Sequence, residues 1–218
     1  MGQSENNRAT QDPPVLPQWV IDTLRPAANV ISNALWHTRY TGTNHIPSNG
    51  GLLVAANHQT YMDPLWVALP IKRPLRFLAW DAAFSWPVIG PAMGFFGAWP
   101  LQIEGNDRAP IRKSLQWLRQ GGGVVIFPEG GRGEPDGSMI KFKAGAVRMA
   151  IEAAVPILPV TIRGAHRVWS SNMRLPRPGQ VEVIYHEPLR VAQRPEEDFR
   201  ACVQRENDRL AQIIGSAL

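Results

Sequence analysis

The chain has 218 residues, 44% hydrophobic and 19% charged. That balance excludes a disordered or fibrous polypeptide, and the length suffices for one domain with a full core, which at this size buries roughly 70% of the unfolded surface without a disulfide or metal. Twenty-three Lys and Arg against 18 Asp and Glu leave a net charge of +5, suited to anionic partners, and the single cysteine, Cys202, excludes a disulfide framework and any paired-cysteine metal or redox site.

Residues 1–14 read as a polar, disordered tail without the apolar stretch of a signal peptide. Over residues 15–40, Val20, Leu24, Ala27, Ala28, Ile31, Leu35 and Trp36 recur at helical spacing, with Asp22, Arg25, Asn29, Asn33 and Arg39 on the other side. Pro26 predicts a kinked helix or two short ones. The stripe fits either a helix covering the core or an amphipathic helix lying in a bilayer surface, for which Trp19, Trp36 and Tyr40 are suited. No uncharged apolar run of spanning length is present, so a peripheral or monotopic protein at the cytoplasmic face of a membrane is expected.

Leu52–Ala56 reads as a buried strand, residues 64–69 as a helix and residues 76–79 as a strand. Ile111, Leu115 and Leu118 mark a helix, followed by three glycines and a strand at residues 124–127. Residues 144–154 are helical, and residues 157–162 and 181–185 are strands. Pro195, followed by Glu196, Glu197 and Asp198, opens a last helix at residues 193–218, with Phe199, Val203, Leu210 and Ile214 facing the core. Continuous apolar strands alternating with helices predict a single α/β domain with a largely parallel central sheet covered on both faces. Residues 77–103 break the rhythm: Asp81 is their only charge, and Phe77, Trp80, Phe84, Trp86, Phe95, Phe96 and Trp99 crowd among prolines and glycines. They form either a packed core with tight turns or an apolar surface or tunnel for lipid chains.

Two segments carry chemistry. In Asn57-His58-Gln59-Thr60-Tyr61-Met62-Asp63-Pro64, His58 follows a buried strand, at the sheet edge where α/β proteins bind ligands. Asp63-Pro64 suits the start of a helix, and across so short a turn the Asp63 carboxylate can return to the imidazole, holding Nδ1–H and leaving Nε2 as a base. Alone, the pair is equally a histidine beside a capping aspartate. In Phe127-Pro128-Glu129-Gly130-Gly131-Arg132-Gly133, glycines let backbone amides approach an anion and Arg132 offers a bidentate fork. Glu129 is placed to orient Arg132 or to bind a substrate hydroxyl, and Lys141 and Lys143 extend the positive charge. The same loop also fits a glycine-rich turn with a surface ion pair. No serine elbow, no cysteine beside a histidine and no metal-ligand spacing among the five histidines is present. The basic stretch Arg163, His166, Arg167, Arg174 and Arg177 suits lipid headgroups and carries no nucleic-acid motif.

Taken together, these blocks resemble the lysophospholipid acyltransferase superfamily, best known through the 1-acylglycerol-3-phosphate acyltransferases. Its N-H-x4-D block is matched by Asn57-His58 to Asp63, and its F-P-E-G-T-R block by Phe127 to Arg132 with Gly131 in place of Thr. Phe142-Lys143-Ala144-Gly145-Ala146 matches the F-K-x-G-A continuation, and Val155-Pro156-Ile157-Leu158-Pro159-Val160 matches the apolar fourth block, so the resemblance spans roughly residues 40–190. In the second block Ile103 stands where the family has an arginine thought to hold the acceptor phosphate; either another cation such as Arg108 substitutes or the acceptor differs.

The resemblance implies an acyltransferase domain over residues 41–192. It would move a fatty acyl group from acyl-CoA or acyl-carrier protein to a lysophospholipid hydroxyl on a bilayer, with no cofactor, metal or nucleic acid. It implies that His58 is the base and that Asp63 holds it. Glu129, Gly130, Gly131, Arg132 and Lys143 would bind the acceptor and its phosphate, and Asn57 or the glycine-rich loop would supply positioning and oxyanion donors. Two readings remain beside it: a lipid-binding protein without activity, and an esterase or thioesterase that uses water.

Overall fold

The computed structural model describes residues 15–102, 108–170 and 172–218. The strands are β1 (Arg39–Thr41), β2 (Leu52–Ala56), β3 (Leu75–Trp80), β4 (Ala98–Leu101), β5 (Gly123–Ile126), β6 (Ile157–Arg163) and β7 (Glu182–Tyr185), with β2, β5 and β6 the runs rich in Val, Ile and Leu. They make one sheet in the order β1-β7-β6-β2-β5-β3-β4, and every pairing is parallel except β6 with β7. The helices are α1 (Gln18–Trp36), α2 (Asp63–Ala68), α3 (Ile89–Phe95), α4 (Ala109–Arg119), α5 (Gly145–Ala153), α6 (Ala165–Trp169) and α7 (Phe199–Gly215).

Strand β2 shows why the central runs are continuously apolar rather than alternating. Leu53 and Ala55 enter a core with residues of α4, α5 and α7 on one face of the sheet. Leu52, Val54 and Ala56 enter a second core with Trp36 of α1, Trp66 and Val67 of α2, and Val168 of α6 on the other. Both faces are covered, as expected for a parallel sheet. The order also places the loops that follow β2 and β5 side by side, because Ala55 pairs with Ile126 at the carboxyl end of both strands. The chain leaves β2 towards β3 on one side and later reaches β6 on the other, which opens a crevice at that edge.

Several expectations need correction. The first helix ends at Trp36, with His37 in the left-handed conformation, and residues 39–41 join the sheet as β1 rather than extending the helix to residue 40. One helix runs through Pro26. The carbonyl this proline leaves unpaired is that of Asp22, an exposed residue whose carbonyl water can serve.

Much of the α1 stripe faces away from the protein, with Leu24, Ile31 and Leu35 exposed, although Trp36 is buried. Arg25 lies inward: its guanidinium donates to the carbonyls of Ala68, at 2.8 Å, and Leu69, at the end of α2, where helix carbonyls lack internal donors. Ser32 accepts from Trp66 Nε1 at 2.9 Å, and Trp36 packs edge-on against Trp66. Trp19, Leu24, Val30, Ile31 and Leu35 are left exposed.

At the other end of the chain, α7 starts at Phe199, capped by Asp198, whose carboxylate accepts from Ala201 N at 2.7 Å; Pro195 precedes it outside the helix. Cys202, Val203, Leu210 and Ile214 are buried, but Phe199 is 44% exposed, because the first turn stands clear of the core that the rest of the stripe enters.

Residues 77–102 are divided among β3, a 3₁₀ turn (Asp81–Ser85), α3 and β4. Of the seven aromatics singled out there, only Trp99 is buried; Trp80, Phe95 and Phe96 are exposed, with Val88 and Ile89 beside them in sequence. The stretch is an apolar surface rather than a core. Leu16 N donates to Phe95 O at 2.9 Å, which brings the start of α1 next to the end of α3. No helix among the described residues is long and apolar enough to cross a membrane.

Candidate active site

His58 lies two residues beyond β2 and is held from three directions. Its Nδ1–H donates to Asp63 Oδ2 at 2.8 Å. Its backbone N–H donates to Glu129 Oε1 at 2.7 Å, and its carbonyl accepts from Gly133 N at 2.6 Å. The ring stacks on Phe127, with centroids 4.2 Å apart and planes 26° apart, and remains 19% exposed. The side chain is thus fixed in orientation yet reachable.

Asp63 is fully buried at the first position of α2, with Pro64 behind it in the first turn. Its carboxylate does not cap forward along the helix. It turns back on the loop, accepting from Gln59 N at 2.5 Å, Thr60 N at 2.8 Å and Thr60 Oγ1 at 2.8 Å in addition to the imidazole. Thr60 Oγ1 in turn accepts from Met62 N at 3.0 Å, a local turn typical of threonine. Such a set of donors offsets the desolvation of a buried carboxylate and keeps it an acceptor for His58.

Asn57 is buried and both ends of its carboxamide are engaged by Ile162: Nδ2 donates to Ile162 O at 2.9 Å and Oδ1 accepts from Ile162 N at 2.7 Å. Its side chain therefore staples the end of β2 to β6 and positions His58. Gln59 performs a similar task, donating to Gly137 O at 3.0 Å and accepting from His166 N at 3.1 Å. The His166 imidazole is held below its usual range by burial and by Arg167.

Glu129 differs from expectation. It is buried, and its two oxygens accept from the backbone of His58 and of Ile140, the latter at 2.8 Å. Burial pushes its carboxyl above the usual range, while the hydrogen bonds from Ile140 and His58 pull the other way. It braces the turn and does not pair with Arg132. The guanidinium of Arg132 instead lies over the ring of Tyr61, 4.0 Å from its centroid.

Gly130 has φ +70°, and a Cβ there would come within 2.9 Å of Lys143 Nζ, so the Lys143 side chain lies across this glycine. A Cβ on Gly131 would meet nothing within 4 Å, leaving space in front of the loop. Lys143 is thus the cation found beside the loop, whereas Arg108 is exposed before α4, and Ile103 lies outside the described residues. Among the described residues no group of His, Cys, Asp and Glu is arranged to hold a metal.

The structure therefore brings His58, Asp63, Asn57 and the loop from Glu129 to Arg132 to one sheet edge, with Lys143 against the loop. Phe127, Thr60, Gln59 and Tyr61 are functional neighbours to which sequence reasoning gave no role. A threonine three residues before a helix-starting aspartate was the one local signal available for Thr60; the partners of the other three lie elsewhere in the chain.

The model of the Acyltransferase family matches residues 37–163. Among curated proteins, the chain is 29% identical over 166 residues to the chloroplastic 1-acyl-sn-glycerol-3-phosphate acyltransferase of Brassica napus, covering 74% of this chain and 48% of that protein. It is 31% identical over 183 residues to a 1-acyl-sn-glycerol-3-phosphate acyltransferase of Chlamydomonas reinhardtii, covering 77% and 54%. With the enzyme of that name from Bacillus subtilis it shares 26% identity over 167 residues, 76% of this chain and 80% of that one. The chain spans about half the length of the first curated relatives it matches. Its fold is that of the 1-acyl-sn-glycerophosphate acyltransferase PlsC from Thermotoga maritima, with a TM-score of 0.75 and 23% identity over 92% of this chain and 78% of that one. With more than half its length matched by the family model, the chain belongs to the Acyltransferase family.

Proposed function

We propose that the protein transfers a fatty acyl group from a thioester donor, acyl-CoA or acyl-carrier protein, to the free hydroxyl of a lysophospholipid such as 1-acylglycerol 3-phosphate, in phospholipid biosynthesis. The observation that carries this reading is the 2.8 Å pairing of His58 with the buried Asp63 beside the cationic glycine-rich loop. The activity named for the matched relatives supports it.

With Nδ1–H held by Asp63, Nε2 of His58 is the base. It takes the proton from the acceptor hydroxyl as that oxygen bonds to the thioester carbonyl carbon. The C–S bond then breaks, and the departing thiolate takes the same proton from the imidazolium. Charge on the carbonyl oxygen in between needs donors. The amides of His58, Gln59, Thr60 and Gly133 are already bonded within the chain. The amides of Gly131 and Arg132 have no such bond among the described residues and are assigned that role. Arg132 and Lys143 hold the acceptor phosphate, the latter standing in for the second-block arginine. The exposed apolar sides of α1 and α3 seat the protein on the cytoplasmic face of a bilayer as a peripheral or monotopic protein, where both lipids reside.

The test is acyl transfer by the purified chain from acyl-CoA to a panel of lysophospholipids, with products resolved by mass. The unsubstituted chain forms diacyl product, and His58→Ala lowers turnover by about 10²–10⁴-fold, the usual contribution of a general base. Unchanged turnover in the variant removes His58 from the mechanism. Release of free fatty acid without dependence on an acceptor assigns hydrolysis instead.

A further inference from the structure

We infer that Tyr61 is a positioning residue of the anion site, whose ring seats the Arg132 guanidinium so that its N–H edges are free for a phosphate. The inference rests on the acyltransferase reading only for the identity of the molecule that carries the phosphate. Tyr61 belongs to the same turn as His58 and Asp63, and the residue is 45% exposed. Two indoles brace it edge-on: Trp86, at 5.6 Å and 78°, and Trp169, at 5.6 Å and 72°. They come from different places, the segment after the 3₁₀ turn that follows β3 and the end of α6, and Trp169 is itself tied by Nε1 donating to Met173 O at 3.2 Å. The ring is therefore held by its own turn and by two other stretches of chain, and Arg132 lies 4.0 Å from its centroid.

The chemistry of this seat differs from that of an ion pair. A carboxylate partner would neutralise the guanidinium and occupy two of its N–H groups. An aromatic face attracts the cation and leaves all five donors available. Glu129, the carboxylate that the loop sequence offered as its partner, has both oxygens engaged by backbone amides, and no ion pair joins Arg132 to Glu129 or to Glu134. Among the described residues Arg132 forms no ion pair. The arginine is thus held in place without losing its charge or its donors, an arrangement suited to a doubly charged phosphate monoester.

A double-mutant cycle on the full chain tests this, read by calorimetric titration with glycerol 3-phosphate and by acceptor kinetics with 1-acylglycerol 3-phosphate. Tyr61→Leu is expected to weaken glycerol 3-phosphate binding and raise acceptor KM by roughly 3- to 30-fold, the range of a cation–π contact. The donor KM and kcat are expected to stay within about twofold. Tyr61→Phe, which keeps the ring, restores both readouts. In the Arg132→Ala background, Tyr61→Leu is expected to add nothing further. Additive losses in the double variant, an unchanged KM in Tyr61→Leu, or no glycerol 3-phosphate binding by the unsubstituted chain overturns the inference. If Tyr61→Leu fails to fold, Tyr61→Phe against Tyr61→His carries the same comparison. A chain that binds glycerol 3-phosphate but transfers no acyl group refutes the acyltransferase reading and leaves the cycle on binding intact.

Discussion

Behind the imidazole, Asp63 and Glu129 each have both carboxylate oxygens bonded, and Asn57 and Gln59 have both ends of their amides bonded, each of the four either bonded to His58 or next to it in the chain. Along α1 and beside α3 the situation is reversed: Trp19, Ile31, Leu35, Val88 and Phe96 are exposed among the described residues. The first region is finished by the chain itself, and its polar groups fix one geometry because leaving any of them unpaired is costly. The second is left open among the described residues, and exposed apolar surface of this kind marks a place where something else supplies the cover. The contrast separates a turn that holds one imidazole in place from a face that the proposed bilayer seat would cover.

Substitutions in the two regions should therefore fail in different ways. Asp63→Ala is expected to have the largest effect, lowering turnover by about 10²–10⁴-fold and folding stability by ~3 kcal/mol, since it strands the buried donors of residues 58–60. Steady-state kinetics and a denaturant titration read the two losses together. Ile31→Asp with Leu35→Asp should do the opposite: a melting temperature within about 2 °C of the parent, with partition onto phospholipid vesicles reduced about 100-fold. A large drop in melting temperature would show that this side of α1 is covered by protein after all.

The smallest effect is expected in the loop between the regions. Gly131→Thr, whose new Cβ meets open space, should change stability by no more than about 0.5 kcal/mol. Gly130→Ala, with φ +70° and Lys143 pressed against it, should cost about 1–2 kcal/mol. Equal melting curves for the two would contradict the described packing of Lys143.

Much of the catalytic edge was legible in the sequence because its parts are short and local. The apolar run of β2, a six-residue turn and a helix-starting Asp63-Pro64 leave few ways to arrange His58. The roles of Glu129 and Asn57 were not legible, because their partners, His58 and Ile162, lie 71 and 105 residues away. For the same reason Tyr61 carried no signal: its neighbours Trp86, Arg132 and Trp169 meet it only once four loops converge. The spacing on α1 revealed a stripe but not which side packs, and Arg25 turns inward because the carbonyls ending α2 need a donor. Three-residue β1, four-residue β4 and five-residue α6 are too short to impose a period on the sequence.

The attachment of Arg25 and Ser32 to α2 carries one more consequence. A helix joined to its domain by a loose linker could sink into lipid at any angle while the domain tumbled above it. Here the helix is bolted at mid-length to the same short α2 that begins with Asp63, so the domain and the helix must settle as one rigid body. On the bilayer seat proposed above, the imidazole would then keep one height relative to that helix, and the acceptor hydroxyl would have to come to it.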